Sequence, residues 1–97
     1  MYLDEYKEAG VNIRRMTIQN EPHVAGQFFI TYPCNGMNGT QEADFLKRFL
    51  GPLLNASHPE VEIYIHDDQK DIMIDYVTAV MEDKEAAAFV DGVAFHW

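Results

Sequence analysis

Three short polar clusters contain the side chains of this 97-residue sequence that could do chemistry. They are residues 17–22, residues 66–69 and the pair His96–Trp97, and each directly follows a run of the apolar or β-branched kind that forms buried strands. Carboxylates and imidazoles at such positions can transfer protons, and amides beside them can hydrogen-bond a substrate. The clusters therefore predict a functional site wherever the three strand ends meet.

Glu21 is the main candidate for a proton-transferring group. Pro22 has no N–H and so ends the strand ladder directly after it. A carboxyl held there in a partly apolar pocket should have a raised pKa, because desolvation disfavours its charged form, and would suit a general acid. The alternative is that Glu21 caps a helix or lies on the surface of an acidic chain.

His66, Asp67 and Asp68 are side chains of the types that bind metal ions. Their spacing matches no known metal site, and no group of Cys and His supports one, so we predict no metal and no cofactor. We expect His66 to be a supporting or surface residue. Asp68 would cap the following helix or orient a neighbour at the edge of the sheet.

The elements that must position these clusters alternate between helix and strand. The patterns predict helices over residues 2–9, 41–50, 71–81 and 84–89, with a kink or restart at Gly51–Pro52 and with Thr40 and Asp83 as N-caps. They predict strands over residues 11–18 and 61–65 and from near Val90, with an irregularity at Asp91–Gly92, a loop over 21–39 and a turn over 55–59.

This order predicts parallel strands, because a parallel pair needs a crossover that is usually a helix. A doubly wound sheet and a piece of a (β/α)8 barrel both fit. The first strand is followed by Asn20-Glu21-Pro22-His23 and not by the glycine-rich turn of a nucleotide-binding sheet, which favours the barrel. The chain would then hold about three βα units, and both of its ends look cut.

Composition narrows the class further. A hydrophobic fraction of 47% excludes a disordered tail, and a net charge of −9 argues against nucleic acid as a partner. No apolar run approaches the roughly 20 residues of a transmembrane segment. The single Cys34 excludes a disulfide within the chain, and is either a buried apolar side chain or paired elsewhere.

The motif Thr-Ile-Gln-Asn-Glu-Pro at residues 17–22 resembles the fourth-strand motif of glycoside hydrolase family 30. Further residues resemble the animal lysosomal glucosylceramidases of that family, in order and nearly in spacing: Tyr32-Pro33, Asp44-Phe45, Leu50-Gly51-Pro52, Asn55-Ala56-Ser57, Asp67-Asp68-Gln69, Glu85-Ala86-Ala87 and His96-Trp97. The chain departs from the family in a longer loop between Glu21 and Tyr32 and in Arg14-Arg15, where apolar residues are expected.

The resemblance implies a TIM barrel of which residues 1–97 are a fragment holding strands four to six. It implies a retaining β-glucosidase that hydrolyses glucosylceramide in the lysosome or outside the cell, with Glu21 as acid/base and no cofactor. Such a mechanism needs two carboxyls about 5–5.5 Å apart. The family's nucleophile ends the seventh strand, beyond Trp97, so we expect the fragment alone to be inactive.

The resemblance also implies the substrate-binding residues. Asn20 matches the family's contact to the sugar 2-OH, and the others are Tyr32, Asp67, His96 and Trp97. Adjacent strand residues point to opposite faces, so Asn20 and Glu21 can serve one site only if the strand ends or twists there. Trp97 could instead be a barrel core residue.

Two triplets fit the N-glycosylation pattern, at Asn38 and Asn55, both in predicted loops. The expected partners are a glycosphingolipid substrate and, from the family, a saposin-like activator and an anionic lipid surface. Two alternatives remain, namely another β-glycosidase of the same barrel family and a non-catalytic acidic βα binding module.

Overall fold

The computed structural model of the protein describes residues 2–24 and 35–97. Helices and strands alternate along these residues, and three strands form one parallel sheet. The helices are α1 (Tyr2–Glu8), α2 (Gly39–Phe45), α3 (Gly51–Ser57), α4 (Met73–Glu82) and α5 (Lys84–Ala87), and the strands are β1 (Arg15–Thr17), β2 (Glu62–Asp68) and β3 (Gly92–Phe95). A 3-10 turn covers Pro22–Val24, and a π-helical turn, Leu46–Leu50, joins α2 to α3.

The sheet has the order β1-β2-β3, with parallel pairing throughout. The predicted parallel βα arrangement is therefore confirmed. Because all three strands run the same way, their carboxyl ends lie at one edge, which is where barrel and open α/β enzymes place their chemistry.

The core lies between β2 and the helices that follow α1. Ile63 and Ile65 on β2 are both buried in this core, because residues two apart along a strand lie on the same face of the sheet. The other buried members are Ala43, Leu46, Leu54, Val61, Tyr76, Val80 and Ala86. This helical layer gives the strand ends a close-packed backing.

The regular alternation of β2 breaks at its carboxyl end. His66 pairs with Ala94, but the next paired residue, Asp68, lies opposite Phe95. His66 and Asp67 have φ angles of 78° and 51°, in the left-handed region that ordinary residues rarely adopt. We call this two-residue irregularity the His66–Asp67 bulge. The sequence predicted an irregularity at Asp91–Gly92 instead, and that prediction is wrong.

Helix starts agree with the sequence only in part. Asp83 caps α5 as predicted, since its carboxylate accepts from the Glu85 and Ala86 amides. The prediction of Thr40 as N-cap of α2 is wrong. Asn38 is the N-cap, and it exchanges hydrogen bonds with Gln41 in a capping box.

Strand β1 is shorter than the predicted strand over residues 11–18. Arg15 begins it, exposed, and its guanidinium pairs with Glu62 on the neighbouring strand at 2.5 Å. This position at the strand entrance explains how a charged residue is accommodated next to a buried sheet.

The predicted turn over residues 55–59 is also wrong in its first half. Helix α3 continues to Ser57 and ends at His58, whose amide donates to the Leu54 carbonyl. Asn55 is therefore an exposed helical residue and not a loop residue, whereas Asn38 lies exposed at the start of α2. Tyr32 and Cys34 lie outside the described residues.

No helix in the described part of the chain has the length and apolar character needed to cross a membrane.

Gly39 lies where α2 meets α4, and we predict that Gly39→Ala destabilises the protein. An added Cβ would lie 2.5 Å from the Tyr76 carbonyl oxygen and 2.9 Å from the Ala79 Cβ. Alanine alone would favour the helix by about 0.5–1 kcal/mol, so a net loss of about 1–3 kcal/mol would report the overpacked contact. Urea unfolding of the full-length protein measures it. Thr40→Ala, exposed one residue further on, is the control and should change stability by less than about 0.5 kcal/mol.

Candidate active site

Glu21 lies beyond the end of β1, at the edge where the three strands finish. Its amide donates to the Asp67 carbonyl at 3.0 Å, and its φ of 47° turns the chain sharply after the strand. Only 13% of its side chain is exposed. The carboxyl is thus held on a fixed backbone and mostly shielded from water.

Two ring nitrogens from the end of β3 meet the Glu21 carboxyl. The Trp97 indole N–H donates to Glu21 Oε1 at 3.1 Å, and His96 Nδ1 lies 3.4 Å from the same oxygen. The first and third polar clusters of the sequence therefore come together, although 74 residues separate Glu21 from the end of β3 at Phe95.

Asp67 connects these groups to β2. Its carbonyl accepts from both the Glu21 amide and His96 Nε2, the latter at 2.9 Å. Its carboxylate accepts the Thr17 hydroxyl at 2.6 Å and lies 3.7 Å from His96 Nε2. Thr17, Asp67 and His96 come from three different strand ends, and Asp67 joins them into one network.

Asp68 is fully buried and serves a different part of the edge. Its carboxylate accepts the His23 amide at 3.1 Å and the Gln69 amide at 2.7 Å, and His23 Nδ1 lies 2.7 Å away. Burial raises the pKa of this carboxyl, but the hydrogen bonds from His23 and Gln69 outweigh burial and lower it overall. Of the two roles expected for Asp68, it orients a neighbour, because the N-cap position of α4 is Ile72.

A second buried polar group lies behind the strand ends and was missed from the sequence. Glu42 on α2 is 2% exposed, and its carboxylate accepts the His66 amide at 3.4 Å. Burial raises the pKa of Glu42, and burial together with Glu42 raises that of Tyr76. The helical pattern assigned Tyr76 correctly to the buried face, but Glu42 looked like an ordinary polar helix residue. Its neighbours along α2 are Gln41 and Ala43, and they give no signal of its burial.

Asn20 precedes Glu21 and is exposed. Because β1 ends at Thr17, the rule that neighbouring strand residues point to opposite faces does not apply to Asn20 and Glu21. Within residues 2–24 and 35–97, no group of three or more His, Cys, Asp or Glu side chains is arranged to hold a metal ion.

A parallel βα sheet with a shielded carboxyl at its strand ends is the arrangement of barrel enzymes. The chain matches the glycosyl hydrolase family 30 TIM-barrel domain over residues 1–97, and it belongs to that family. The resemblance inferred from the sequence motifs is thereby confirmed.

Individual relatives agree with this assignment. The chain is 38% identical to the lysosomal acid glucosylceramidase of Mus musculus over 98 residues, which is 99% of this chain and 19% of the mouse protein. The crystal structure of SrfJ from Salmonella typhimurium superposes with a TM-score of 0.85 at 32% identity over 99% of this chain. An endo-beta1,6-glucanase superposes with a TM-score of 0.87 at 27% identity over 98%. The chain covers 21% of each of these two structures.

Asp68→Asn tests the contribution of the His23–Asp68 pair at the carboxyl ends of the strands. The change leaves an amide donor facing the His23 and Gln69 donors, and should cost about 1–3 kcal/mol of unfolding free energy near neutral pH. A lowered folded-state pKa means that Asp68 stabilises the fold above its unfolded value of about 3.9 and loses this effect as the pH falls through the folded value.

The difference between wild type and Asp68→Asn should therefore shrink in acid, as measured by urea unfolding from neutral pH downward. Asp71→Asn is the matched control, since Asp71 is exposed and its carboxylate accepts a hydrogen bond from the adjacent Ile72 amide. A difference that stayed constant down to the lowest pH would contradict the ionised state of Asp68.

Proposed function

We propose that the protein is a retaining β-glycosidase that hydrolyses the β-glucosyl bond of glucosylceramide, with Glu21 as its acid/base. The observation that carries this proposal is the Glu21 carboxyl itself, shielded at the strand ends and contacted by two ring nitrogens. Membership of family 30 supports hydrolysis of a glycoside. The substrate is proposed from the similarity to the mouse glucosylceramidase.

The tautomer of His96 follows from its partners. A carbonyl can only accept, so His96 Nε2 must donate its proton to Asp67. His96 Nδ1 then has a proton only when the imidazole is charged. The Asp67 carbonyl therefore fixes the orientation of the His96 ring, and with it the Nδ1 atom that lies 3.4 Å from Glu21 Oε1.

In the proposed reaction, Glu21 first acts as an acid. Its proton passes to the glycosidic oxygen as that oxygen leaves the sugar carbon, while a second carboxylate attacks the same carbon. Glu21, now ionised, takes a proton from the water that releases the sugar. The second carboxylate is proposed to lie outside these 97 residues, so the isolated fragment should be inactive.

The remaining site residues are proposed to bind the sugar. Asn20 would hydrogen-bond the 2-OH, a contact that can strengthen in the transition state. Asp67 and His96 would offer polar groups, and Tyr32 and Trp97 aromatic surface. The Trp97 indole N–H donates to Glu21 Oε1, which favours this role over a place in the core.

The setting of the protein is also proposed from the relatives. Residues 1–97 would form strands four to six of a catalytic barrel domain in a lysosomal or secreted enzyme. An activator of the saposin kind and an anionic lipid surface would present the substrate. Asn55 is the preferred glycosylation site, because its triplet Asn55-Ala56-Ser57 matches a glycosylation triplet of the family it resembles.

A second candidate keeps the same mechanism and changes the substrate. The endo-beta1,6-glucanase superposes as well as SrfJ does, which favours a β-linked glucan as the alternative substrate class. Release of glucose from glucosylceramide vesicles and release of oligosaccharides from a β-1,6-glucan distinguish the two in the full-length enzyme.

Glu21→Gln in the full-length enzyme tests the acid/base assignment. Glutamine keeps the shape of the side chain but cannot donate the proton, so kcat on glucosylceramide should fall by about 10²–10⁴-fold. The loss should be smaller on an aryl glucoside whose leaving group needs no protonation. Steady-state kinetics on the two substrates measures this difference.

Glu82→Gln, the same change at an exposed position of α4, is the control and should leave both rates unchanged. Equal losses on both substrates would exclude Glu21 as the acid. Full turnover by Glu21→Gln on glucosylceramide would refute the acid/base role, and no hydrolysis by the wild type would favour the non-catalytic binding module.

A further inference from the structure

A buried polar cluster lies directly behind the proposed acid/base, between α2, β2 and α4. Its members are Glu42, His66 and Tyr76, which are 2%, 1% and 6% exposed. The His66 and Tyr76 rings lie 5.1 Å apart, and the His66 amide donates to Glu42. Two backbone connections lead from this cluster to Glu21 within the described residues.

The first connection runs from Glu42 through the His66–Asp67 bulge. Two successive left-handed residues are strained and persist only where their surroundings hold them. Glu42 holds the first of them by accepting the His66 amide at 3.4 Å. The second, Asp67, presents the carbonyl that accepts the Glu21 amide and His96 Nε2. The orientation of that carbonyl therefore depends on the bulge.

The second connection runs from Tyr76 to the other side of Glu21. The Tyr76 hydroxyl donates to the Met37 carbonyl at 3.2 Å, and the Met37 amide donates to the Pro22 carbonyl at 3.1 Å. Pro22 directly follows Glu21. The two connections thus fix the backbone on both sides of the proposed acid/base, one at its own amide and one at the next carbonyl.

The chemistry of Glu42 predicts which replacements should be tolerated. Burial raises its pKa, and its Oε2 has no hydrogen-bond partner within the described residues. Burial outweighs the opposing effects of the Tyr76 hydroxyl and the His66 amide on this pKa, which favours a side chain that works as an acceptor for the His66 amide. Glutamine would keep an acceptor of the same reach, whereas leucine would fill the space and accept nothing.

We propose that Glu42 and Tyr76 are positioning residues that together hold the proposed acid/base Glu21, Glu42 through the His66–Asp67 bulge and Tyr76 through Met37 and Pro22. This inference rests on the proposed role of Glu21. Neither residue touches the substrate. Their loss should therefore misplace the Glu21 carboxyl and slow proton transfer while substrate binding stays nearly the same.

The test compares Tyr76→Phe, Glu42→Leu and Glu42→Gln in the full-length enzyme on glucosylceramide vesicles. Tyr76→Phe and Glu42→Leu should lower kcat about ten- to a hundredfold, the scale of a misplacement of about 1 Å. KM should change by less than about twofold, since loss of an interaction made only in the transition state lowers kcat alone. The limb of the kcat/KM pH profile assigned to Glu21 should shift. Glu42→Gln should retain most of the activity.

Leu46→Ala is the matched control for a loss of stability. Leu46 is fully buried next to α2 in the same core, and its apolar side chain makes no hydrogen bond to the bulge, so this change should lower Tm without altering kcat or the pH profile of the folded enzyme. If Glu42→Leu fails to fold, Tyr76→Phe, which keeps the buried ring, decides the test.

Wild-type kcat and pH profile in the Tyr76→Phe variant, and in any folded Glu42→Leu, would overturn the proposal. So would equal damage in Glu42→Gln and Glu42→Leu, because the acceptor would then not be what matters. The Glu21→Gln variant, assayed in parallel, separates failure of the positioning role from failure of the proposed function. If it is active, the proposed function fails, and if it is inactive while the other variants are normal, only the positioning role fails.

Discussion

The candidate site depends on one irregularity of the backbone, the His66–Asp67 bulge at the end of β2. In a regular parallel strand each carbonyl would continue the ladder to its neighbour. The bulge turns the Asp67 carbonyl toward the edge, where it accepts hydrogen bonds from the Glu21 amide and from His96. One carbonyl thereby sets the relative positions of groups that follow β1 and β3. Without this carbonyl, no shared acceptor would hold the Glu21 amide and His96 Nε2 in place at the strand ends.

A bulge of two left-handed residues needs a rigid backing, and the helical layer provides it. Val80 and Ala86 are fully buried in this layer, and Ile65, directly before the bulge on β2, is fully buried against it. Such packing resists adjustment, because interiors are as dense as organic crystals. The polar cluster of Glu42, His66 and Tyr76 lies within this apolar surface, so a small displacement there would be transmitted to the strand ends and not absorbed.

The parts that follow local rules could be predicted from the sequence. Alternation of strands and helices is encoded by apolar periodicity and turn residues, and it required a parallel sheet with its strand ends at one edge. The Asp83 cap likewise depends on neighbours two and three residues away. Asn38 escaped prediction because two residues competed for one helix start, and the choice depended on reciprocal bonds with Gln41.

The interactions that escaped prediction are those between distant segments. His23 and Asp68 are 45 residues apart, and Glu42 and His66 are 24 apart. Neither pair has a periodicity or a spacing that would link its members. The bulge is equally hidden, because its residues carry ordinary side chains and no glycine, and their left-handed conformation is imposed by tertiary contacts that outweigh local preference.

The neighbouring carboxylates Asp67 and Asp68 show why this irregularity matters for chemistry. Two adjacent aspartates in one strand look equivalent in the sequence, and both would be costly to bury. The structure separates them. Asp68 is fully buried, and the His23 and Gln69 donors compensate its charge. Asp67 stays partly exposed at the edge and bonds to Thr17 and His96. The ionised Asp68 therefore fixes the 3-10 turn Pro22–Val24 through His23. Asp67 remains in contact with Thr17 and His96, near the proposed acid. The bulge thereby places two adjacent carboxylates in different surroundings, one buried with compensating donors and one at the edge of the sheet beside the proposed acid.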